Sequence, residues 1–311
     1  MEIKEIEVKT VMTKSNLPVA DFSVNPYVGC THACKYCYAS FMKRFTNHPE
    51  PWGEFVDVKM WPEIKNAGKY AGKEAFLGSV TDCYQPCEAK YRRTRALLEQ
   101  LQGSGISVSI ATKSDLVLRD IDLIRTFPNA RVSFSVNTLD ESFRREMDCA
   151  ATIARRLAAM KELYDAGVQT VCQMAPIFPG VTDVKAIIGA VKDRCNLVWL
   201  ENLNLRGDYK ARILQWIHAN RPELDGLYHA IYTRNDRSYW AELDESLLNN
   251  ETLSELAGAL RALPEELRDI IVLRNYDGKP LTEVAEIMGL SYGAVKLRHQ
   301  SALAKLRNAF R

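Results

Sequence analysis

The chain has 311 residues, 47% of them hydrophobic, and a formal net charge of +2 from 41 basic and 39 acidic side chains. This length and hydrophobic content suffice for a large buried core and a second, smaller one. The near balance of charge excludes a protein drawn to nucleic acid or membrane by its overall field, and no apolar run approaches the roughly 20 residues that span a bilayer. Eight cysteines with no secretory leader predict a reducing, cytoplasmic location.

The first informative element is a short cysteine-containing loop. Residues 25–39 read Asn-Pro-Tyr-Val-Gly-Cys-Thr-His-Ala-Cys-Lys-Tyr-Cys-Tyr-Ala, which places thiols at Cys30, Cys34 and Cys37. Three thiolates in one loop can hold three irons of a 4Fe–4S cube and leave the fourth iron free for a small molecule. A structural zinc ion usually takes four ligands in two short pairs, and the sequence has no second pair at that spacing. We therefore predict a cluster with these three cysteines as metal ligands.

From about residue 22 to 215, short β-branched runs alternate with longer amphipathic stretches. Strands are predicted at 23–29, 75–80, 107–112, 131–137, 169–175 and 197–205, and helices at 89–102, 116–126, 150–166 and 184–194. This alternation predicts parallel strands joined by right-handed crossovers. Six such units are fewer than the eight of a closed barrel. We expect an α/β fold, an open partial (β/α)6 TIM-type barrel with its chemistry at the carboxyl ends of the strands.

The C-terminal residues follow a helical pattern. Leu263-Pro264-Glu265 predicts a helix start and Asp277-Gly278 its end, and two more helices are predicted at 282–288 and 292–310. Because a glycine-containing turn at Gly289 separates the last two, we expect a small all-α helix-turn-helix domain. Residues 291–311 contain no acidic residue and five basic ones, Lys296, Arg298, Lys305, Arg307 and Arg311. This excess of positive charge predicts nucleic-acid contact through residues 291–311. The predicted domains are a barrel over 1–245, a linker over 246–260 and the helix-turn-helix over 261–311.

Two separate segments of the chain resemble known families. The spacing of Cys30, Cys34 and Cys37, with Tyr36 before the last cysteine, is similar to the cluster loop of radical S-adenosylmethionine enzymes. Over residues 20–185 the chain resembles their spore-photoproduct-lyase-like branch, through Thr81-Asp82-x-Tyr84-Gln85-Pro86-x-Glu88, Thr112-Lys113-Ser114, Arg119-Asp120 and Ala175-Pro176-Ile177-x-Pro179-Gly180. Residues 263–311 resemble region 4 of bacterial sigma factors.

The resemblance to radical enzymes implies a 4Fe–4S cluster and S-adenosylmethionine as cofactors. It implies reductive cleavage of S-adenosylmethionine to a 5′-deoxyadenosyl radical, with electrons from a donor such as flavodoxin or ferredoxin. It also implies cofactor contacts at five positions: Tyr36 at the adenine, Thr81 and Asp82 at the ammonium group, Lys113 at the carboxylate and Ser135 at the ribose.

The chain departs from photoproduct lyases at their hydrogen-donating cysteine, which stands about three residues before the aspartate. Ser79 and Val80 occupy this neighbourhood, and Cys83 follows Asp82 directly. We predict Cys83 as the catalytic thiol. The alternative is a buried free cysteine with no chemical role.

The leading functional prediction is a radical enzyme that acts on DNA or another nucleic acid, with the C-terminal helices delivering the barrel to it. Two alternatives stay open. One is a radical enzyme that modifies a peptide or protein and uses the C-terminal helices for docking. The other is a transcriptional regulator whose iron–sulfur cluster senses redox state. No membrane partner is expected, and the substrate and oligomeric state are left open.

Overall fold

The structure, a computed structural model, describes residues 1–15, 20–248, 260, 262–276 and 279–309. The strands are β1 (Glu2–Glu7), β2 (Met12–Lys14), β3 (Phe22–Val24), β4 (Tyr27–Val28), β5 (Phe55–Met60), β6 (Glu74–Leu77), β7 (Ser107–Thr112), β8 (Arg131–Ser135), β9 (Gln169–Ile177) and β10 (Leu197–Asn202). The α-helices are Glu88–Tyr91, Arg93–Leu101, Ile121–Ile124, Glu141–Met147, Ile153–Asp165, Val184–Val191, Gly207–Asn220, Asp225–Tyr232, Ser238–Leu248, Glu265–Ile271, Leu281–Met288 and Tyr292–Ala309. Shorter 3₁₀ turns cover Tyr38–Phe45, Ala67–Tyr70, Asp115–Asp120 and Pro222–Leu224, and a π turn covers Val272–Tyr276.

The larger sheet has the strand order β10-β9-β8-β7-β6-β3-β2. Neighbouring strands from β3 to β10 pair in parallel, and β2 pairs antiparallel with β3. The order has two ends, so the sheet is open. These six parallel strands, followed by a helical C-terminal region, confirm the predicted partial barrel and its fold class.

The core lies between this sheet and the helices that cross over between its strands. Val108 and Ile110 on β7 and Val132 on β8 are fully buried, as are Leu97 and Met160 on the covering helices. Each side chain of this size contributes about 1.5–3 kcal/mol when it leaves water. The apolar periodicity that predicted the alternation therefore also defines the packed layer.

A second, smaller sheet of β1, β5 and β4 was not predicted. β1 pairs parallel with β5, and β4 pairs antiparallel with β5. The strand predicted over 23–29 is wrong, because it is two short strands, β3 and β4, that belong to different sheets. Asn25 and Pro26 separate them: Pro26 has no amide hydrogen for a ladder, and the Asn25 side chain bonds Ser79 and Val80 instead. β4 thus leads straight into the cysteine loop.

The helix predicted over 89–102 is two helices, with a break at Arg92, whose φ is +49°. The Glu88 carboxylate stabilises the break, because it accepts hydrogen bonds from the backbone amides of Thr94 at 3.0 Å and Arg95 at 3.3 Å. These amides start the second helix and have no partner within it. A buried carboxylate therefore acts as a helix cap that sequence periodicity does not reveal.

The chain divides into two compact units, the larger reaching Asp236 and the smaller starting at Arg237. In the smaller unit, helices Glu265–Ile271, Leu281–Met288 and Tyr292–Ala309 pack around Ile270, Val284 and Val295. Gly289 ends the middle helix at a φ of +64°, as the predicted turn requires.

Some predictions for this region fall outside the described residues, namely the helix end at Asp277-Gly278, most of the linker 246–260, Arg311 and the side chain of Arg307. The predicted domain boundaries remain predictions. None of the described helices is long and apolar enough to cross a membrane.

Candidate active site

The cysteine loop is anchored by its backbone. Inside the loop, the amides of Ala33 and Cys37 donate to the carbonyls of Cys30 and Cys34 at 3.2 and 3.1 Å. Outside it, the Lys35 amide donates to the Met147 carbonyl at 2.9 Å, and the Cys149 amide donates to the His32 carbonyl at 2.8 Å. The segment after helix Glu141–Met147 thus holds the loop from one side, which fixes the three thiols on a preorganised turn.

The other side of the loop is held by the end of β6. The Gly29 carbonyl accepts hydrogen bonds from Thr81 Oγ1 at 2.6 Å and Gln85 Nε2 at 3.1 Å. Gln85 Oε1 accepts from the Thr31 amide at 3.0 Å. Gly29 itself has a φ of +86°, and a Cβ there would lie 2.2 Å from the Phe55 carbonyl oxygen. The entry to the loop therefore depends on glycine and on the side chains of Thr81 and Gln85.

Asp82 is fully engaged inside the protein. Its carboxylate accepts from Thr112 Oγ1 at 2.8 Å, from the Lys113 amide at 2.7 Å and from the Tyr84 amide at 2.8 Å. The fourth contact is His32 Nδ1 at 3.2 Å. Burial would raise the pKa of Asp82, but His32 and the two amides lower it to about 2. Asp82 thereby ties the cysteine loop to the ends of β6 and β7.

His32 and the three cysteines influence one another's acidity. Burial would lower the pKa of His32, but Asp82 and Cys30 raise it to about 10. Burial would raise the pKa of Cys30, yet the His32 cation lowers it below the usual range. Burial raises the pKa of Cys34 and Cys37. Cys30 is therefore the one of the three loop thiols whose pKa lies below the usual range.

A second group of polar side chains gathers at the ends of β7 and β8. Lys113 Nζ donates to Ser135 Oγ at 3.3 Å and lies 5.8 Å from the centre of the Tyr36 ring. Burial would lower the pKa of Lys113, but Cys34 and Asp148 raise it, so Lys113 is a cation. The structure thus brings four predicted site residues together, Lys113, Ser135, Tyr36 and Cys34.

Asp148 and Arg156 form a buried ion pair behind this group. Arg156 Nη2 lies 2.6 Å from Asp148 Oδ1, and Arg156 Nη1 donates to the Ser135 carbonyl at 3.1 Å. The Tyr36 hydroxyl donates to Asp148 Oδ2 at 3.3 Å. The Tyr36 ring is 7% exposed and packs edge-on against Phe178. Its ring therefore supports the loop from within.

Cys83 makes its contacts outside the group of predicted site residues around Lys113 and Ser135. It is fully buried, and burial together with Asp82 and Glu88 raises the pKa of its thiol well above the usual range. The thiol is therefore protonated, as a hydrogen-atom donor requires. Cys87 is buried against Tyr27 and Val56, whereas Cys149, whose amide holds the loop, is exposed. A catalytic role for Cys83 remains a prediction.

Sequence reasoning missed the supporting residues His32, Asn137, Asp148 and Arg156. The Arg156 guanidinium contacts Ser135 across 21 positions of the chain, and Asp148 contacts Tyr36 across 112. The aspartate that follows a helix end and the buried arginine of an amphipathic helix look like surface charges in the sequence. His32 carried a signal, because it stands between two of the cysteines.

The residues present fit the two expected cofactors. Within the described chain no group of three or more His, Cys, Asp or Glu side chains is arranged around a single metal ion. The ligands of a cube bind separate irons, so they need not converge on one point as the ligands of a single ion do. Asn137 is 3% exposed and its side chain lies beside the Tyr36 hydroxyl. Within the described chain its amide nitrogen donates no hydrogen bond, and the Lys113 ammonium donates one, to Ser135. An anionic, hydrogen-bonding ligand would satisfy both.

Comparison with known proteins agrees with this geometry. Residues 24–188 match the radical SAM superfamily, and residues 259–308 match sigma-70, region 4. An uncharacterized protein of Methanocaldococcus jannaschii is 34% identical over 226 residues, 72% of this chain and 85% of the relative. An uncharacterized protein of Mycobacterium tuberculosis is 27% identical over 272 residues, 81% of this chain and 79% of the relative.

Solved structures of spore photoproduct lyase share the fold. A mutant with bound AdoMet and dinucleoside spore photoproduct has a TM-score of 0.53 at 16% identity and matches 68% of this chain and 65% of the lyase. The lyase complexed with dinucleoside spore photoproduct has a TM-score of 0.52, also at 16% identity, over 71% of this chain and 66% of the lyase. The chain therefore spans just under two thirds of the lyase.

Proposed function

The chain belongs to the radical SAM superfamily, and we propose that it is an enzyme of this superfamily that acts on a nucleic acid. Its cofactors are a 4Fe–4S cluster and S-adenosylmethionine, which when bound supply hydrogen-atom abstraction. The observation that carries the proposal is the presence, in one chain, of the cysteine loop and a sigma-70 region 4 segment with a basic last helix. A radical site alone is compatible with many substrates. The sigma-70 region 4 segment narrows the substrate class to nucleic acids.

The proposed cluster ligands are Cys30, Cys34 and Cys37. The Lys113 ammonium would bind the carboxylate of S-adenosylmethionine. The Ser135 hydroxyl, whose oxygen lies 3.3 Å from Lys113 Nζ, would bind the ribose. The adenine would meet the backbone at Tyr36, since the Tyr36 ring is buried. To bind the ammonium group, Asp82 would give up one of its internal contacts, whereas the Thr81 hydroxyl oxygen still has an acceptor lone pair.

This arrangement supports an enzyme over a redox sensor. A sensor needs a cluster and a DNA-binding segment, but it gains nothing from a cation and a hydroxyl held beside the cluster loop. Lys113 and Ser135 are placed there by the carboxyl ends of two neighbouring strands, β7 and β8. In barrels of this kind, that edge is where substrates and cofactors bind.

The protein also shields the site. Tyr36 and Phe178 pack in one apolar cluster with Phe143, and helices Gly207–Asn220 and Asp225–Tyr232 contribute Tyr209 and Tyr228 to it. An apolar cover limits water at a reacting centre and strengthens the electrostatic contacts inside it. The aromatic residues after the last strand thus serve as cover for the loop.

The last helix, Tyr292–Ala309, supports nucleic acid as the substrate. Val295 and Ala302 face the core of the smaller unit, whereas Lys296 and Lys305 are exposed. Arg298 is half-exposed and pairs with Glu266 at 3.0 Å. The exposed face thus carries positive charge and no carboxylate of its own, which suits the phosphates of a duplex.

The test is the salt dependence of duplex DNA binding by the full chain. Lys296→Ala and Lys305→Ala are expected to weaken binding at every sequence and to lower the slope of log affinity against log salt by about 1 each. Lys161→Ala is the matched control, because Lys161 lies in the larger unit and pairs with Asp165. Binding that is unchanged by all three substitutions would contradict delivery of a nucleic acid by the last helix and favour a peptide or protein substrate.

A further inference from the structure

The 3₁₀ segment Tyr38–Phe45, which directly follows the last cysteine of the loop, turns its large side chains outward. Tyr38, Phe41 and Phe45 are 57%, 42% and 67% exposed, and the buried residue of the segment is the small Ala39. An amphipathic segment normally does the reverse. Because exposed aromatic rings so close together are rare on the surface of a monomer, they indicate a binding face. We call these three residues and Arg44 the aromatic face.

Positive charge accompanies the rings. The Arg44 guanidinium lies 5.4 Å from the centre of the Phe41 ring and 4.7 Å from that of Phe45. Residues 22–49 contain no acidic residue and three Lys or Arg residues, Lys35, Lys43 and Arg44. A neutral apolar partner would give no reason for this charge. An anionic partner with flat apolar groups complements both features.

The aromatic face is held in place at both ends. At its start, the Tyr38 hydroxyl donates a hydrogen bond to the Ser79 carbonyl, at the end of β6. At its far end, His48 stacks on Phe55 with ring centres 3.9 Å apart, and His48 Nε2 lies 2.8 Å from Asp57. Thr46 closes the segment by two hydrogen bonds to the Lys43 carbonyl, at 2.9 Å from its amide and 2.8 Å from its hydroxyl. The rings are therefore preorganised, which lowers the entropy lost on binding.

We propose that the aromatic face binds single-stranded nucleic acid, with bases stacked on Phe41 and Phe45 and a phosphate at Arg44. This rests on the proposed function and names the form of the substrate. Base stacking on exposed aromatic rings beside basic side chains is the general physical mode of single-strand binding, and it is tolerant of sequence. Since Cys37 adjoins Tyr38 in the chain, a strand on this face would run beside the cysteine loop. The chemistry would then act on an unpaired nucleotide.

The test compares three fluorescent probes with the full, reconstituted chain: an oligothymidylate of about 12 nucleotides, an abasic strand of the same length, and a duplex. For the double variant Phe41→Ala/Phe45→Ala we expect at least about tenfold weaker binding of the oligothymidylate, with abasic and duplex binding unchanged. Phe45→Leu keeps an apolar side chain without the ring and is expected to give an intermediate loss. Tyr164→Ala, which removes an exposed aromatic ring elsewhere (36% exposed), is the matched control.

A second readout reports stacking directly. A strand that carries 2-aminopurine should lose fluorescence on binding to the wild type and keep it with the double variant, because stacking quenches this base. Circular dichroism and iron content show whether the variants are folded and loaded.

The outcomes separate the two proposals. If the wild type binds the probes but the double variant binds oligothymidylate equally well, the aromatic face is not a base-binding site, while the proposed function stands. Equal wild-type affinity for the oligothymidylate and the abasic strand also overturns base binding by the aromatic face, and assigns this face to a protein partner. If the wild type binds none of the probes, both proposals fail.

Discussion

His32 Nδ1 lies 3.2 Å from Asp82 Oδ2, and both side chains are buried. The pair joins the cysteine loop to the end of β6, fifty residues later in the chain. Buried pairs of this kind are weak stabilisers compared with apolar packing, but removing one partner leaves the other charge unpaired. Its contribution is thus to fix the position of the loop.

His32→Ala is therefore expected to destabilise the protein by about 2–4 kcal/mol and to lower its iron content, because Asp82 keeps its charge in the interior. The control is His218→Ala, since His218 lies 2.6 Å from Asp225 but is 79% exposed. An exposed pair contributes about 0–1 kcal/mol. Denaturant unfolding of the metal-free proteins and iron analysis after reconstitution measure both effects. Equal losses in the two variants would contradict a positioning role for His32.

Gly29→Ala tests how tightly the start of the loop is built. The new methyl group would lie 2.2 Å from the Phe55 carbonyl oxygen, so β4 and β5 must separate. Gly72→Ala is the control, because its φ of +73° imposes the same backbone strain with nothing within 4 Å. We expect a loss of about 1–2 kcal/mol at Gly72 and a clearly larger loss at Gly29, with failure of cluster assembly. Thermal unfolding and the visible absorption of the reconstituted proteins decide this, and similar behaviour of both variants contradicts it.

Lys113→Met tests the proposed carboxylate contact. Replacing a cation by an apolar side chain of similar length removes a charge-assisted hydrogen bond, and the expected result is roughly 10- to 100-fold weaker binding of S-adenosylmethionine. Lys161→Met, on an exposed helix face, should bind as the wild type does. Calorimetric titration of the reconstituted proteins measures the affinity. Unchanged binding of S-adenosylmethionine by Lys113→Met would show that another residue binds its carboxylate.

His48 gives a pH dependence. Burial would lower the pKa of His48, but Asp57 and Glu50, 2.8 and 3.0 Å from its two ring nitrogens, raise it. A histidine whose folded pKa is raised stabilises the fold fully below its unfolded value of about 6.5, and this contribution disappears as the pH rises through the folded pKa. We expect His48→Gln to cost about 1–3 kcal/mol at pH 6 and less at pH 9. Urea unfolding at several pH values measures the difference, and a constant difference would contradict this assignment.

Much of the fold was predictable because its signals are local. Cys30, Cys34 and Cys37 lie within eight residues, apolar residues alternate with polar or small ones along β7 and β8, and Gly289 marks a turn. Each of these patterns depends on neighbours in sequence, which is where periodicity and turn chemistry are informative.

The features of the fold and the site that were not predicted depend on contacts between residues distant in the chain. Val56, Val58 and Met60 alternate with Asp57 and Lys59, which is the period of a half-buried strand, but the pairing of β5 with β1 and β4 depends on residues distant in the chain. The break at Arg92 exists because Glu88 folds back over the next helix start. The role of His32 follows from Asp82, which no local pattern connects to it.

The most direct test of the central claim is 5′-deoxyadenosine formation by the full chain, reconstituted without oxygen and supplied with reductant and S-adenosylmethionine, with and without DNA. We expect DNA containing an unpaired stretch to stimulate product formation. We also expect Cys37→Ala to abolish product formation and Lys296→Ala/Lys305→Ala to reduce the stimulation. A single rate of product formation, the same with and without nucleic acid, would contradict a nucleic-acid-directed radical enzyme.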